Sequence, residues 1–93
     1  MDKKITRMRD HVIICGYGRI GQAICRHLRN MGVECLIIDR DDTRTGYAQS
    51  MDVPVLAGNA TADQALLDAG IERASILVAA LSNDSDNLFV ALA

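Results

Sequence analysis

The sequence predicts an α/β fold, a Rossmann-like doubly wound parallel sheet of strand order 3-2-1-4. Three observations predict it. Short, wholly apolar runs recur along the chain, with helical spacing or helix-capping signals between them. A glycine cluster stands where the first run ends and the first helix begins. Unbroken apolar runs mark strands covered on both faces, and their alternation with helices marks parallel pairing through crossovers. Crossovers are right-handed, which winds the sheet outward in both directions from the first strand.

The elements follow in order. Residues 1–10 form a polar lead-in, short and helical or extended, with Lys3, Lys4, Arg7 and Arg9 against Asp2 and Asp10. The globular part runs from residue 11 to 93. His11–Cys15 (HVIIC) is the first strand. Ile20, Ile24, Leu28 and Met31 recur at helical spacing, and Gly32 supplies the helix stop. Glu34–Asp39 (ECLIID) is the second strand, and Asp41–Met51 a helix weakened by Gly46. Val53–Ala57 (VPVLA) is the third strand. Pro54 cannot donate to a ladder, which suits an edge. Thr61 and Gln64 have capping-box spacing for a helix over Asp63–Ala69, closed by Gly70. Ile76–Ala80 (ILVAA) is the fourth strand, and Ser82–Asp86 caps a last helix carrying Leu88, Phe89, Val90, Ala91 and Leu92. A fold of this type has further strands, so the chain reads as truncated before them. The fourth strand then lacks an outer neighbour, an invitation to pair.

Composition excludes several classes. The chain has 93 residues, 49% hydrophobic and 24% charged, which is a single globular domain. A net charge of −2 and 3% aromatic residues provide neither the basic footprint nor the stacking surface that nucleic acid needs. No apolar run is long enough to span a membrane, and the start has no signal-peptide core. Cys15, Cys25 and Cys35 match no zinc or C-x-x-C pattern and read as buried free thiols. The serines sit in no nucleophile elbow, so catalysis has no support.

The chemistry lies in Gly16-Tyr17-Gly18-Arg19-Ile20-Gly21, a G-x-G-x-x-G directly after a strand and opening a helix. Gly16 permits the tight turn, Gly18 admits a pyrophosphate to the backbone, and Gly21 lets the helix approach the sheet. The helix N-terminus then offers amides and partial positive charge to phosphate, and Arg19 adds a cation. Asp39 ends the second strand, where a carboxylate accepts ribose hydroxyls and disfavours a 2′-phosphate; Arg40 stands beside it. Asn59 meets either an adenine edge or its own turn. Ala80 follows the fourth strand at the ligand edge and offers backbone contacts, while Ser82 caps a helix. Asp84 and Asp86 fit a helix N-terminus better than a cation site. His11 and His27 read as structural.

With those motifs in place, the chain from His11 to Ala93 resembles the N-terminal part of a KTN/RCK domain. These are the regulator-of-potassium-conductance domains of prokaryotic potassium channels, Trk/Ktr uptake systems and Kef antiporters. The likeness rests on HVIICGYGRIGQAICRHL, IIDRD, VLAGNAT, LLDAGIERAS and SNDSDNLFVALA. The lead-in KKITRMRDHVIICG is similar to the stretch joining a channel pore helix to its cytoplasmic domain. The resemblance implies a non-enzymatic, cytoplasmic regulatory domain at the inner face of the cell membrane. It implies binding of NAD(H) or an adenine nucleotide (ATP, ADP or AMP). By position, Gly16, Gly18, Arg19 and Gly21 would hold phosphates, Asp39 the ribose with Arg40 beside it, and Asn59 and Ala60 would lie near adenine. Asn59 stands where the family often carries an acid. The family pairs through helices near the end of this segment, so Leu88, Phe89, Val90 and Leu92 would form a dimer interface, and dimers would build a ring under a pore.

Three alternatives stay open. One is the same domain serving a potassium transporter. The second is the cofactor half of an NAD-dependent dehydrogenase, and the third a scaffold without ligand.

Overall fold

A computed structural model describes residues 5, 7–58 and 63–80. Its elements are β1 (Val12–Cys15), α1 (Arg19–Asn30), β2 (Cys35–Asp39), α2 (Asp42–Ser50), β3 (Val55–Ala57), α3 (Asp63–Asp68) and β4 (Ile76–Ala79). The four strands are all parallel and lie in the order β3-β2-β1-β4, as expected. Central β1 is hydrogen-bonded on both sides, with Ile14 opposite Ile37 of β2 and Val78 of β4. Pro54 precedes the edge strand β3, and its carbonyl accepts from Ile37. The Asn59, Ala60, Thr61, Ser82, Asp84 and Asp86 positions and the last helix lie outside the described residues. So do the proposed interface side chains Leu88, Phe89, Val90 and Leu92.

The strand alternation builds two cores. Val12, Ile14, Cys35 and Ile37 face α1 and α2, where Cys25 and Ala48 close over them. Ile13, Cys15, Leu36 and Ile38 face the other way, toward Leu66 and Ala69. Each fully buried Ile or Leu contributes about 1.5–3 kcal/mol of transfer free energy. The second core also takes in the lead-in: Ile5 and Met8 are buried in it. Arg73 Nε donates to the Met8 carbonyl, the Asp10 amide donates to the Arg73 carbonyl, and Ser75 Oγ donates to the Asp10 carbonyl. The described part of the lead-in, residues 5 and 7–10, is therefore tied down by Ile5 and Met8 and by its backbone.

The buried stripe of α1 runs through Gly21 and Cys25, with Ile24 and Leu28 partly buried. Ile20 and Met31 share the helical spacing but lie outside the stripe and are exposed. Gly32 and Gly70 stop α1 and α3, both at φ 78°. After α1, Gly32 donates to the Arg29 carbonyl and Val33 to the Leu28 carbonyl, closing a Schellman motif. At the end of α2 the same motif uses Asp52 at φ 60°, with Val53 donating to Ala48.

Candidate functional site

The carboxyl ends of β1, β2 and β4 converge on one edge. Gly16 leaves β1 at φ 103°, a left-handed conformation that glycine adopts without strain, and its amide donates to Ile38 at 2.8 Å. Gly21 is required by contact: a Cβ there would stand 2.0 Å from the Gly16 carbonyl oxygen. Gly18 is required by neither. It is the N-cap of α1 at an ordinary φ of −81°, and the nearest atom to a Cβ placed there is Arg44 Cζ at 3.9 Å. Apart from that Arg44 guanidinium, the space above it is open. No side chain caps α1, and no acid lies in its first turn. Its first amides and its positive end are left facing that space.

Asp39 closes the other side of the crevice. It is buried, and both carboxylate oxygens are held by backbone. Oδ2 accepts from the Tyr17 amide at 2.7 Å, and Oδ1 from the Asp41 amide at 2.9 Å. A carboxylate has roughly four lone-pair sites, so the set leaves acceptor capacity for a vicinal diol. The adjacent cation is Arg44, not the exposed Arg40. Arg44 Nη1 lies 3.7 Å from Asp39 Oδ2, and its guanidinium stands over Gly18. Sequence reasoning missed Arg44 because it looked to the chain neighbour. The usable signal was Asp41: its Oδ1 caps α2 by accepting from Thr43 and Arg44, which brings the first turn of α2 to the ligand edge.

The other expected residues divide clearly. Arg19 and Ile20 are exposed on the first turn of α1. The Ala80 amide is committed to the Cys15 carbonyl at 2.8 Å. Asn59 and Ala60 fall outside the described residues. His11 is buried, and its Nε2 donates to the Ala69 carbonyl at 2.8 Å, tying β1 to the end of α3. His27 is exposed in the last turn of α1. The three cysteines are free and buried. Burial pushes the Cys15 thiol up to about 12 and the Cys35 thiol up to about 11, so both are protonated at neutral pH and poor nucleophiles. Burial also raises the Tyr17 phenol; its ring packs tilted against Tyr47, centroids 6.2 Å apart. Among the described residues, no three His, Cys, Asp or Glu cluster for a metal. No helix among them is long and apolar enough to cross a membrane.

Comparison with known proteins gives this edge a context. The family model described as TrkA-N domain matches residues 12–93. Potassium channel protein 1 of Methanocaldococcus jannaschii is 35% identical over 94 residues, covering 99% of this chain and 28% of that protein. The chain thus spans little more than a quarter of that relative's length. Among solved structures, the Shewanella denitrificans Kef CTD in AMP-bound form matches with a TM-score of 0.77 at 32% identity, over 88% of this chain and 48% of its own. The GsuK RCK domain matches with a TM-score of 0.75 at 37% identity, over 91% of this chain and 18% of its own.

Proposed function

The chain belongs to the TrkA-N domain family, and from that premise we propose that it binds an adenine nucleotide or NAD(H) in the glycine-loop crevice as the ligand-sensing part of a potassium channel. Phosphate sits on the amides that open α1, Gly18 to Gly21, with Ile20 contributing backbone only, while the Gly16 and Tyr17 amides, donated to Ile38 and Asp39, shape the turn beneath it. Arg19 and Arg44 supply cations, Arg40 flanks the ribose, and Asp39 accepts the ribose hydroxyls. Asn59, Ala60 and the Ala80 carbonyl border the base. One observation carries the reading. Gly18 is glycine where neither the backbone nor the packing asks for it, and the approach of a phosphate does.

The role is regulation, not catalysis. A ligand shifts a gate only through its different affinities for two arrangements of the assembly. A tenfold difference corresponds to about 1.4 kcal/mol per site. Paired copies of the domain, placed on the cytoplasmic side beneath the pore, multiply that bias. The potassium-channel relative favours a channel partner. The AMP-bound Kef neighbour supports a second reading in which the partner is a transporter.

The test is calorimetric titration with AMP, ADP, ATP, NAD, NADH and NADPH. Saturable binding of one or more, with NADPH weakest, is expected. Gly18→Ala should keep the fold and weaken binding at least tenfold, because its Cβ makes only an ordinary contact with Arg44 in the free chain but stands where phosphate approaches. Equal affinity in Gly18→Ala, or failure of all six ligands with a folded chain, sinks the reading.

A further inference from the structure

A second cavity lies outside the glycine crevice, in the groove between α1 and α2. Its volume is about 340 Å³, within the range of small-molecule pockets. Arg26 and Arg29 line one wall, Tyr47 and Met51 the other, with Tyr17 and Cys25 at its floor. Gln22 and Asn30 complete the α1 wall as hydrogen-bonding groups, and no acidic residue lines it. Arg29 lies ten residues beyond Arg19 on α1, about 15 Å along the axis from the first turn. The groove therefore runs along α1 from the glycine turn at Tyr17 toward the helix's far end, where its two arginines stand.

The charge is unopposed. The ion pair among the described residues is Arg44 with Asp39, and neither Arg26 nor Arg29 has a carboxylate partner there. Arg29 Nη1 donates to the Met51 carbonyl at 2.9 Å, which holds its guanidinium across the groove. The helix C-terminus accounts for one cation in its last turn. It does not account for Arg26 one turn earlier, or for a lining with two arginines and no acid. The exposed Tyr47 ring, backed at a tilt by the buried Tyr17 ring, supplies an apolar aromatic face beside those cations.

We propose that this groove is a second ligand site, for a small organic anion that combines a phosphate or carboxylate with a planar apolar body. The anion pairs with Arg26 and Arg29, and the planar body lies against Tyr47, whose ring rests on the buried Tyr17. Tyr17 connects the groove to the crevice: its ring lines the groove while its amide donates to Asp39. An occupant that moves the ring shifts that amide. The site does not depend on the nucleotide reading.

The experiment is an amide-resolved NMR titration of the chain with phenyl phosphate, with benzyl alcohol as its neutral counterpart and inorganic phosphate as its bare anion. Saturable shifts are expected at Gln22, Arg26, Arg29 and Tyr47, and at the Tyr17 amide. Benzyl alcohol and inorganic phosphate should each bind at least tenfold more weakly. Arg26→Gln combined with Arg29→Gln should abolish the groove shifts. Arg26→Gln alone, at an exposed position, should weaken them severalfold with the fold intact. Shifts confined to Gly16–Gly21, equal binding of the neutral compound, or indifference to Arg26→Gln would each overturn the proposal.

Discussion

Helices α1 and α2 both begin at the carboxyl edge of the sheet, α2 under the carboxylate of Asp41 and α1 under glycine alone. Asp41 accepts from Thr43 and Arg44, and Asp42 adds a charge in the first turn of α2. The positive end of α2 is therefore neutralised from within. That of α1 has no side-chain cap and no acid, and over Gly18 stands a cation, the Arg44 guanidinium. The same backbone problem has been answered by the chain in one case and left to a visitor in the other. A helix start without its own anion beside a held carboxylate is what the proposed binding of phosphate joined to a diol requires.

Substitutions break this contrast in graded steps. Gly21→Ala has the largest expected effect, because the new Cβ would meet the Gly16 carbonyl at 2.0 Å. Several kcal/mol of stability should be lost, as for other backbone clashes, read as a lowered urea midpoint together with lost nucleotide binding. Asp41→Ala removes the cap of α2 and should cost about 1 kcal/mol in chemical denaturation. Nucleotide affinity should fall by less than in Gly18→Ala, through the Arg44 that this cap brings to the ligand edge; a loss as large as that of Gly18→Ala would show that the two helix starts are not independent. Gly46→Ala should act in the opposite direction. Nothing lies within 4 Å of the added methyl, and alanine stabilises a helix interior by about 1 kcal/mol over glycine. A raised thermal midpoint checks it.

The smallest effect near neutral pH comes from the thiols. Cys15 moves from 9.0 to about 12 and Cys35 from 9.0 to about 11 through burial. Their folded pKa values are raised, so the stabilisation is complete below pH 9 and is lost as pH climbs toward 12. Above pH 9 the unfolded chain releases thiol protons that the folded chain keeps. Urea midpoints should be flat from pH 6 to 8 and fall from about pH 9 upward. A Cys15→Ala variant should show a shallower alkaline fall.

The strand order, the glycine stops at Gly32 and Gly70, and the tight approach at Gly21 were legible because each follows from local chemistry. An apolar run, a left-handed turn and a helix start all announce themselves within a few residues. Asp39 was legible for the same reason, as a carboxylate at a strand end. Arg44, the Tyr17–Tyr47 contact and the burial of Ile5 and Met8 were not. The Tyr17–Tyr47 and lead-in contacts join residues far apart in the chain, which only the fold brings together, and Arg44 reaches Gly18 only through the cap that Asp41 provides. Ile20 shows the converse: it keeps the helical spacing, yet the stripe is centred one residue later, on the glycine that must touch Gly16. The stop after α2 was hidden because Asp52 does there what glycine does after α1 and α3.

The grip on Asp39 has a thermodynamic consequence. One carboxylate holds the turn after β1 through Tyr17 and the turn after β2 through Asp41. Fixing a backbone residue costs roughly 1–2 kcal/mol of conformational entropy. For these two turns that loss is incurred when the chain folds, not when a ligand arrives. An incoming molecule meets a rigid receptor, and more of its contact energy is left to appear as affinity.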